Sequence, residues 1–479
     1  MKTNLITLLL ILGVFRVGFA QQPDIDSFIK REMLERRIPG LQLAVVKHGK
    51  IDLMKSYGMA NISNRVPVNN HSIFAINSCT KAFTGVAIMQ LVEQGTISLD
   101  AAVGDYIDSL PEKWQPVKIW QLLTHISGLP DLLKLLTATG GGLPAGATEA
   151  AIWEKLKTVP MEFPTGEQFS YNQTNYALLG KIIDKYSHQP FSKVFEEKQF
   201  RPAGMKETVF GDSREVIPDM VQGYRYVTYM DGQNLPAEKL VMNYAEFAPG
   251  RRTASGLNST AGDIANWIIS LQQGKLFSSK SSLTRLGTPG TFNNGTPTQW
   301  ALGWMTKPRP HHRAIIATGG GRSAFVVYPD DDLAIVVLTN LAGSYPEDIL
   351  DELAGYYNPD IPAADPITTL RMQLNKKGFD QALPVYRELQ KARPGFNAPE
   401  TELNDWAYRM MSSRRLKEAT AVFKLVTAIY PDSWNAYDSY GEALLKGGLR
   451  EEAIKMYQQS IKLNSNNTNG KKILQSLHQ

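Results

Sequence analysis

Ser78-Cys79-Thr80-Lys81 stands where an apolar segment, Ile73 to Ile76, gives way to an amphipathic helical pattern that runs from Cys79 to Glu93 and is closed by Gly95. At a helix N-terminus, Ser and Lys three residues apart share one face. The helix dipole there favours negative charge near the serine, and burial lowers the pKa of the lysine. These conditions activate a serine as a nucleophile. Upstream, Leu41 to Lys47 and Ile51 to Gly58 read as the strands of a hairpin turned at His48-Gly49. Far downstream, Ala314 to Thr318, Ser323 to Tyr328 and Leu333 to Thr339 read as three consecutive strands, the last two joined by Pro329 to Asp332. Strands at both ends with helices between predict an α+β fold whose antiparallel sheet is made from the two termini of the region.

Two further stretches carry chemistry. In Pro164 to Gly180, Tyr171 precedes a new helix. A tyrosine held between a lysine and a serine loses its proton more easily, because nearby positive charge favours phenolate, and it can then take a proton from the serine. In Ala317-Thr318-Gly319-Gly320-Gly321, glycines at a strand let a substrate backbone approach and an N–H point at an oxyanion.

Ser78-x-x-Lys81, Leu122 to Asp131, the Tyr171 segment, Ala301 to Trp304 and Thr318-Gly-Gly, in this order, resemble the serine β-lactamase and penicillin-binding protein superfamily, most of all its class C-like branch. That branch also contains esterases and D-amino-acid peptidases. The resemblance covers roughly residues 24 to 357. It implies an antiparallel sheet flanked by helices, a helical lobe above it and the active site between. It also implies that Ser78 is the acylated nucleophile, Lys81 its activator and Tyr171 the general base, with the backbone N–H groups of Ser78 and Gly320 as the oxyanion hole. Thr318 and Gly319 fall where that family binds substrate.

The chain departs from the family pattern twice. Tyr-x-Asn is replaced by Tyr171-Asn172-Gln173, so the substrate-binding amide is either Gln173 or Asn172. The Lys or His that precedes Thr-Gly in the family is Ala317 here, and Arg322 is the candidate replacement for that cation. Other marked residues carry plainer readings. Cys79 packs as a small hydrophobe, His125 is structural, and Thr260 and Asp263 cap the helix that carries Trp267. His311-His312 lacks a third ligand spaced to complete a metal site. Neither a metal nor a cofactor is expected.

The 479 residues are 43% hydrophobic and 20% charged, an ordinary globular balance that excludes collagen-like, coiled-coil and disordered chains. The single cysteine excludes an intramolecular disulfide framework. Lys2, the apolar run Leu5 to Phe15 and Gly18-Phe19-Ala20 read as a signal peptide over residues 1–20, so export to the periplasm or medium is expected, with no membrane span afterwards. The remaining 49 basic and 46 acidic residues are too evenly matched for a nucleic-acid partner. The expected division is a serine hydrolase domain over 21–357, a proline-rich linker over 358–366 and an all-α repeat domain over 367–479. In the last, a period of 34 superposes Ala453 on Ala419, Tyr457 on Phe423, Tyr440 on Trp406 and Gly441 on Ala407, while Ala382, Tyr386 and Pro394 fit an earlier copy after a three-residue slip. This pattern resembles tetratricopeptide repeats. Ile367 to Gln479 carries 17 basic and 11 acidic residues, which suits a protein partner for the repeats. The expected activity is hydrolysis of a small-molecule or peptide ester or amide through an acyl-enzyme. Two other readings stay open at this point: a β-lactamase or D,D-peptidase, and an inactive binding protein on the same fold.

Overall fold

A computed structural model describes residues 24–137, 148–230, 232–307 and 309–477. The predicted signal peptide lies outside the described residues. The main sheet has seven strands: β1 (Gly40–Lys47), β2 (Lys50–Asn61), β3 (Val66–Pro67), β4 (Met305–Lys307), β5 (Ala314–Gly319), β6 (Ser323–Tyr328) and β7 (Leu333–Thr339). Their order is β3-β2-β1-β7-β6-β5-β4, with every neighbouring pair antiparallel. β1 meets β7 with Leu41 opposite Thr339 and Lys47 opposite Leu333, so the two termini of the region close the sheet as expected.

Both faces of the sheet are covered, which is why β7 is an unbroken apolar run rather than an alternating one. Ala334, Val336 and Leu338 pack under the helical lobe, while Leu333, Ile335 and Val337 pack on the opposite face against Phe28, Leu350 and Ile361. Each such side chain contributes about 1.5–3 kcal/mol on burial. The helix that follows Ser78, Thr80–Glu93, lies between sheet and lobe, and Thr80 through Met89 are all buried. It is enclosed on every side rather than amphipathic, because the lobe covers the face that would otherwise meet water.

Beyond the sheet the chain is helical. Helices begin at Pro366, Glu400, Trp434 and Thr468, and their partners at Ala382, Leu416 and Arg450, so both series advance by 34 residues. The period read from side chains is thus also the period of the helix starts. Small residues sit against aromatics where the alignment placed them: a Cβ on Gly441 would lie 3.2 Å from the Tyr457 ring.

The segment 358–366 is not a loose linker. It contains the helix Asp360–Ala364, and Asp365 is buried, capping the Pro366–Lys377 helix by accepting from Thr368 N at 2.7 Å. Asp365 also meets Lys307 of β4 (2.5 Å) and Arg309 (2.9 Å), and both cations reach Asp351 at 3.0 and 2.6 Å. Farther along, Arg409 Nε donates to Asp348 Oδ1 at 2.8 Å and Ser413 Oγ to Gly343 O at 2.9 Å. The prolines break one helix from the next, but buried charge locks the helical region onto the sheet.

Candidate active site

Three segments far apart in the chain converge on Ser78. Asn77–Cys79 is a single 3-10 turn entered through Asn77 in the left-handed region (φ 48°), which sets Ser78 at the mouth of the buried helix. The end of β5 presses on this turn. A Cβ on Gly319 would lie 1.9 Å from Ile76 O and 3.1 Å from Cys79 N, so only glycine allows the contact. Gly320 follows at φ 58°, where a Cβ would stand 3.0 Å from the Asn77 side-chain amide. The third segment enters through Asn172 and the helix Gln173–Ser187. It is tied to 122–131 by Thr174 Oγ1 donating to Pro130 O at 2.7 Å and by Asp131 Oδ1 accepting from Gln173 N at 2.9 Å.

Lys81 is fully buried, with Nζ 2.9 Å from Gln173 Oε1, 2.9 Å from Ala254 O and 3.3 Å from Ser78 Oγ. Burial, aided by the nearby Arg251 cation, pulls its pKa down to about 7, although Asp131 opposes the shift. In the neutral amine, two N–H groups satisfy the two carbonyl-type acceptors, which can only accept. The lone pair is then left for the one neighbour able to donate, the Ser78 hydroxyl.

Tyr171 lies over Lys81, whose Nζ is 4.7 Å from the ring centroid. Its pKa is raised, because burial outweighs hydrogen bonding with Ser78 and Gln173. Desolvation of the ring thus works against the easily formed phenolate expected from the sequence, and the cation that would favour it is itself about half neutral near pH 7. His125, at φ 60°, does not pair with Ser78. It accepts from Asn172 N at 3.1 Å through Nδ1 and lays its ring 4.5 Å from that of Tyr171, with Trp300 edge-on to both. Burial holds this imidazole neutral.

The two candidate amides sit differently. Asn172 is buried and engaged as a helix cap, Oδ1 accepting from Thr174 N and Nδ2 donating to Leu129 O. Gln173 faces Lys81. Thr318 is half-buried, and its hydroxyl points to Met305 Sδ at 3.9 Å. Arg322 is buried against Gly223, and the cation acting on Lys81 is Arg251. Ala317 is buried in the core beneath the lobe and supplies no charge. Cys79 packs as a core thiol against Ser323 O. Thr260 Oγ1 accepts from Asp263 N as expected, although the Asp263 carboxylate turns to Thr208 and Glu207 N. A second Ser-x-x-Lys, Ser27 to Lys30, lies on the exposed side of the Ile25–Glu35 helix.

Ser255 went unnoticed in the sequence. Its hydroxyl oxygen is 3.3 Å from Ser78 Oγ, and nothing in the run Arg251 to Gly256 marks it, since it reaches the site only through the pairing of Leu257–Ser259 with Phe74–Ala75.

A buried two-sided antiparallel sheet, a helical lobe and a serine–lysine–tyrosine cluster at their junction define the β-lactamase-fold serine hydrolases. The chain belongs to the Beta-lactamase family, whose model matches residues 25–355. It is 26% identical over 340 residues to Protein flp of Staphylococcus aureus strain MW2, covering 69% of this chain. It is 28% identical over 301 residues to Penicillin-binding protein 4* of Bacillus subtilis strain 168, covering 61% of this chain. The chain spans 66% of the length of each of these relatives. Among solved structures it is similar to the octameric penicillin-binding protein homologue from Pyrococcus abyssi, with 27% identity and a TM-score of 0.61 over 74% of this chain and 81% of that one. Among the described residues no helix is long and apolar enough to cross a membrane, and no group of three or more His, Cys, Asp or Glu side chains could hold a metal ion.

Proposed function

We propose that this chain is an exported serine hydrolase that cleaves an ester or amide through an acyl-enzyme on Ser78, with the C-terminal helices serving as a tetratricopeptide-like interaction module. The observation that carries the reading is the arrangement around Lys81 Nζ, which leaves its lone pair for Ser78 Oγ at 3.3 Å. Ser78 Oγ attacks the carbonyl carbon while its proton passes to Lys81. The oxyanion is held by the N–H groups of Ser78 and Gly320. Lys81 then returns the proton through the Tyr171 phenol to the departing alkoxide or amine, and the C–O or C–N bond breaks. Water repeats the sequence on the acyl-enzyme, releasing the acid and restoring the Ser78 hydroxyl. Gln173 orients Lys81 and offers its amide to the bound acyl group. Labelling with a fluorophosphonate, followed by mass spectrometry of the adduct and a chromogenic ester panel, tests this. Adduct on Ser78 with ester turnover supports it, and a chain that neither labels nor turns over any ester refutes it.

Tyr171→Phe is expected to lower kcat on a small ester by about 10²–10⁴-fold, the range of a lost proton relay, with an unchanged melting temperature. The relatives named for penicillin binding bring a β-lactamase or D,D-peptidase activity into view. Ala317, uncharged and buried, leaves a β-lactam carboxylate without its cation at this strand. Nitrocefin is therefore expected to be hydrolysed at least about tenfold less efficiently than p-nitrophenyl butyrate, a ratio read from kcat/KM for both; parity would overturn the specificity reading. The tetratricopeptide-like reading is supported by the 34-residue advance of the helix starts and by the excess of basic residues in this region.

A further inference from the structure

A cavity lies off the catalytic cluster. It measures about 260 Å³ and is lined by Ala75, Gly223, Asn243 and Asn258 among others, whereas Ser78, Lys81, Tyr171, Gln173 and Gly320 take no part in it. Arg322 enters this space from the turn between β5 and β6. It is only 7% exposed, yet among the described residues its guanidinium has neither an ion pair nor a hydrogen bond, and its Nε is fully enclosed. The two acids on the cavity wall are already committed. Asp212 is bound by Arg214 and by Phe247 N, and Glu215 by Arg252 and Asp212 N. Of the other amides on the wall, Asn258, Asn340 and Gln222 already donate to Gly211 O, Met59 O and Gly223 O, whereas among the described residues the side-chain N–H groups of Asn61, whose carbonyl oxygen accepts from Asn64 N, and of Asn243 remain to donate.

A buried cation without a counter-charge costs several kcal/mol, and the cost is relieved when a planar anion takes two parallel N–H bonds from the guanidinium. We propose that this cavity is a binding site for a small monocarboxylate, held by Arg322 with amide donors at its side. One cation with saturated acids around it sets the charge at minus one. The volume, at the low end for ligand pockets, sets the size near that of an acylated amino acid. Gly223 forms the wall facing the charge: a Cβ there would stand 3.4 Å from Arg322 Nη1 and 3.2 Å from Asn243 O.

The test uses N-acetylglycine and its neutral counterpart N-acetylglycinamide on the full chain, read by thermal unfolding at constant ionic strength. The acid is expected to raise the melting temperature saturably by about 2 °C or more, and the amide to leave it unchanged. Arg322→Met is expected to abolish the response. Gly223→Ala keeps the charge and narrows the wall, so it is expected to weaken binding several-fold, and it decides the matter if Arg322→Met fails to fold. Equal responses to acid and amide, a response retained in Arg322→Met, or one unaltered in Gly223→Ala overturns the proposal. Because the readout is binding, the result does not depend on whether Ser78 turns over an ester.

Discussion

Ser78→Ala is expected to reduce ester turnover to background, a loss of at least about four orders of magnitude, because among the described residues the Ser78 hydroxyl is the one nucleophile hydrogen-bonded to Lys81. The Ser255 hydroxyl lies 3.3 Å from Ser78 Oγ, but Lys81 has no hydrogen bond to it. Lys81→Ala is expected to cost about 10²–10⁴-fold while leaving the fold intact, since removing an amine that is half neutral near pH 7 leaves no buried ion uncompensated. The pH profile separates this mechanism from one run by a phenolate. With the Lys81 pKa near 7, the amine is protonated below that value and has no lone pair for Ser78. kcat/KM on a neutral ester should therefore fall about tenfold per pH unit under pH 7 and level off above it. Tyr171, pushed up by burial, would instead keep the rate climbing well into alkaline solution. A rise that persists past pH 9 would assign the base to Tyr171 and sink the Lys81 assignment.

The second large effect is expected at the junction of sheet and helical region. Arg309 Nη2 donates to Asp351 Oδ2 at 2.6 Å and to Asp365 Oδ2 at 2.9 Å, with all three side chains about 5% exposed or less. Tyr328 Oη donates to the other Asp351 oxygen at 2.6 Å. Arg309→Met leaves two buried carboxylates sharing Lys307 alone, and breaking a buried pair in this way costs about 3–5 kcal/mol. Urea denaturation of the variant against the wild type measures it; a difference under about 0.5 kcal/mol would mean that the network is not what holds the two regions together. The same groups set an acid limit. Lys307 and Arg309 hold Asp351 and Asp365 below the ordinary carboxylate range despite burial. The stability they contribute is present above pH 4, where the unfolded carboxylates are ionised, and is lost as pH falls through the lower native values. Arg309→Met should flatten that dependence as well as lower its plateau.

Local patterns were enough to read five of the seven strands of the sheet, the start of the helix that carries Ser78 and the 34-residue spacing of the C-terminal helices, whereas the short edge strands Val66–Pro67 and Met305–Lys307 were not read. Each such pattern is written within a few residues: a short apolar run in Leu41 to Lys47 turned at His48-Gly49, an apolar run broken at Ser78, small and aromatic residues recurring at Ala419, Phe423, Ala453 and Tyr457. What only the tertiary structure decided depends on which side chains meet across hundreds of residues. Asn172 and Gln173 are adjacent in the chain, but the helix cap takes the first and the path of the helix turns the second to Lys81. Arg322 stands three residues after Gly319, yet the β5–β6 turn carries its guanidinium to Gly223. The protonation of Lys81 and Tyr171 follows from desolvation, which no spacing records, and the Lys81 neighbours Ala254 and Arg251 arrive from short helical turns far along the chain. The proline-rich stretch 358–366 has the composition of a linker, but Asp365 is buried because Lys307 and Arg309, more than fifty residues earlier, wait on the sheet edge to neutralise it. Periodicity along a chain reports which face of an element is apolar. It carries no information on which buried charge will find its partner, because that is settled only when the elements pack.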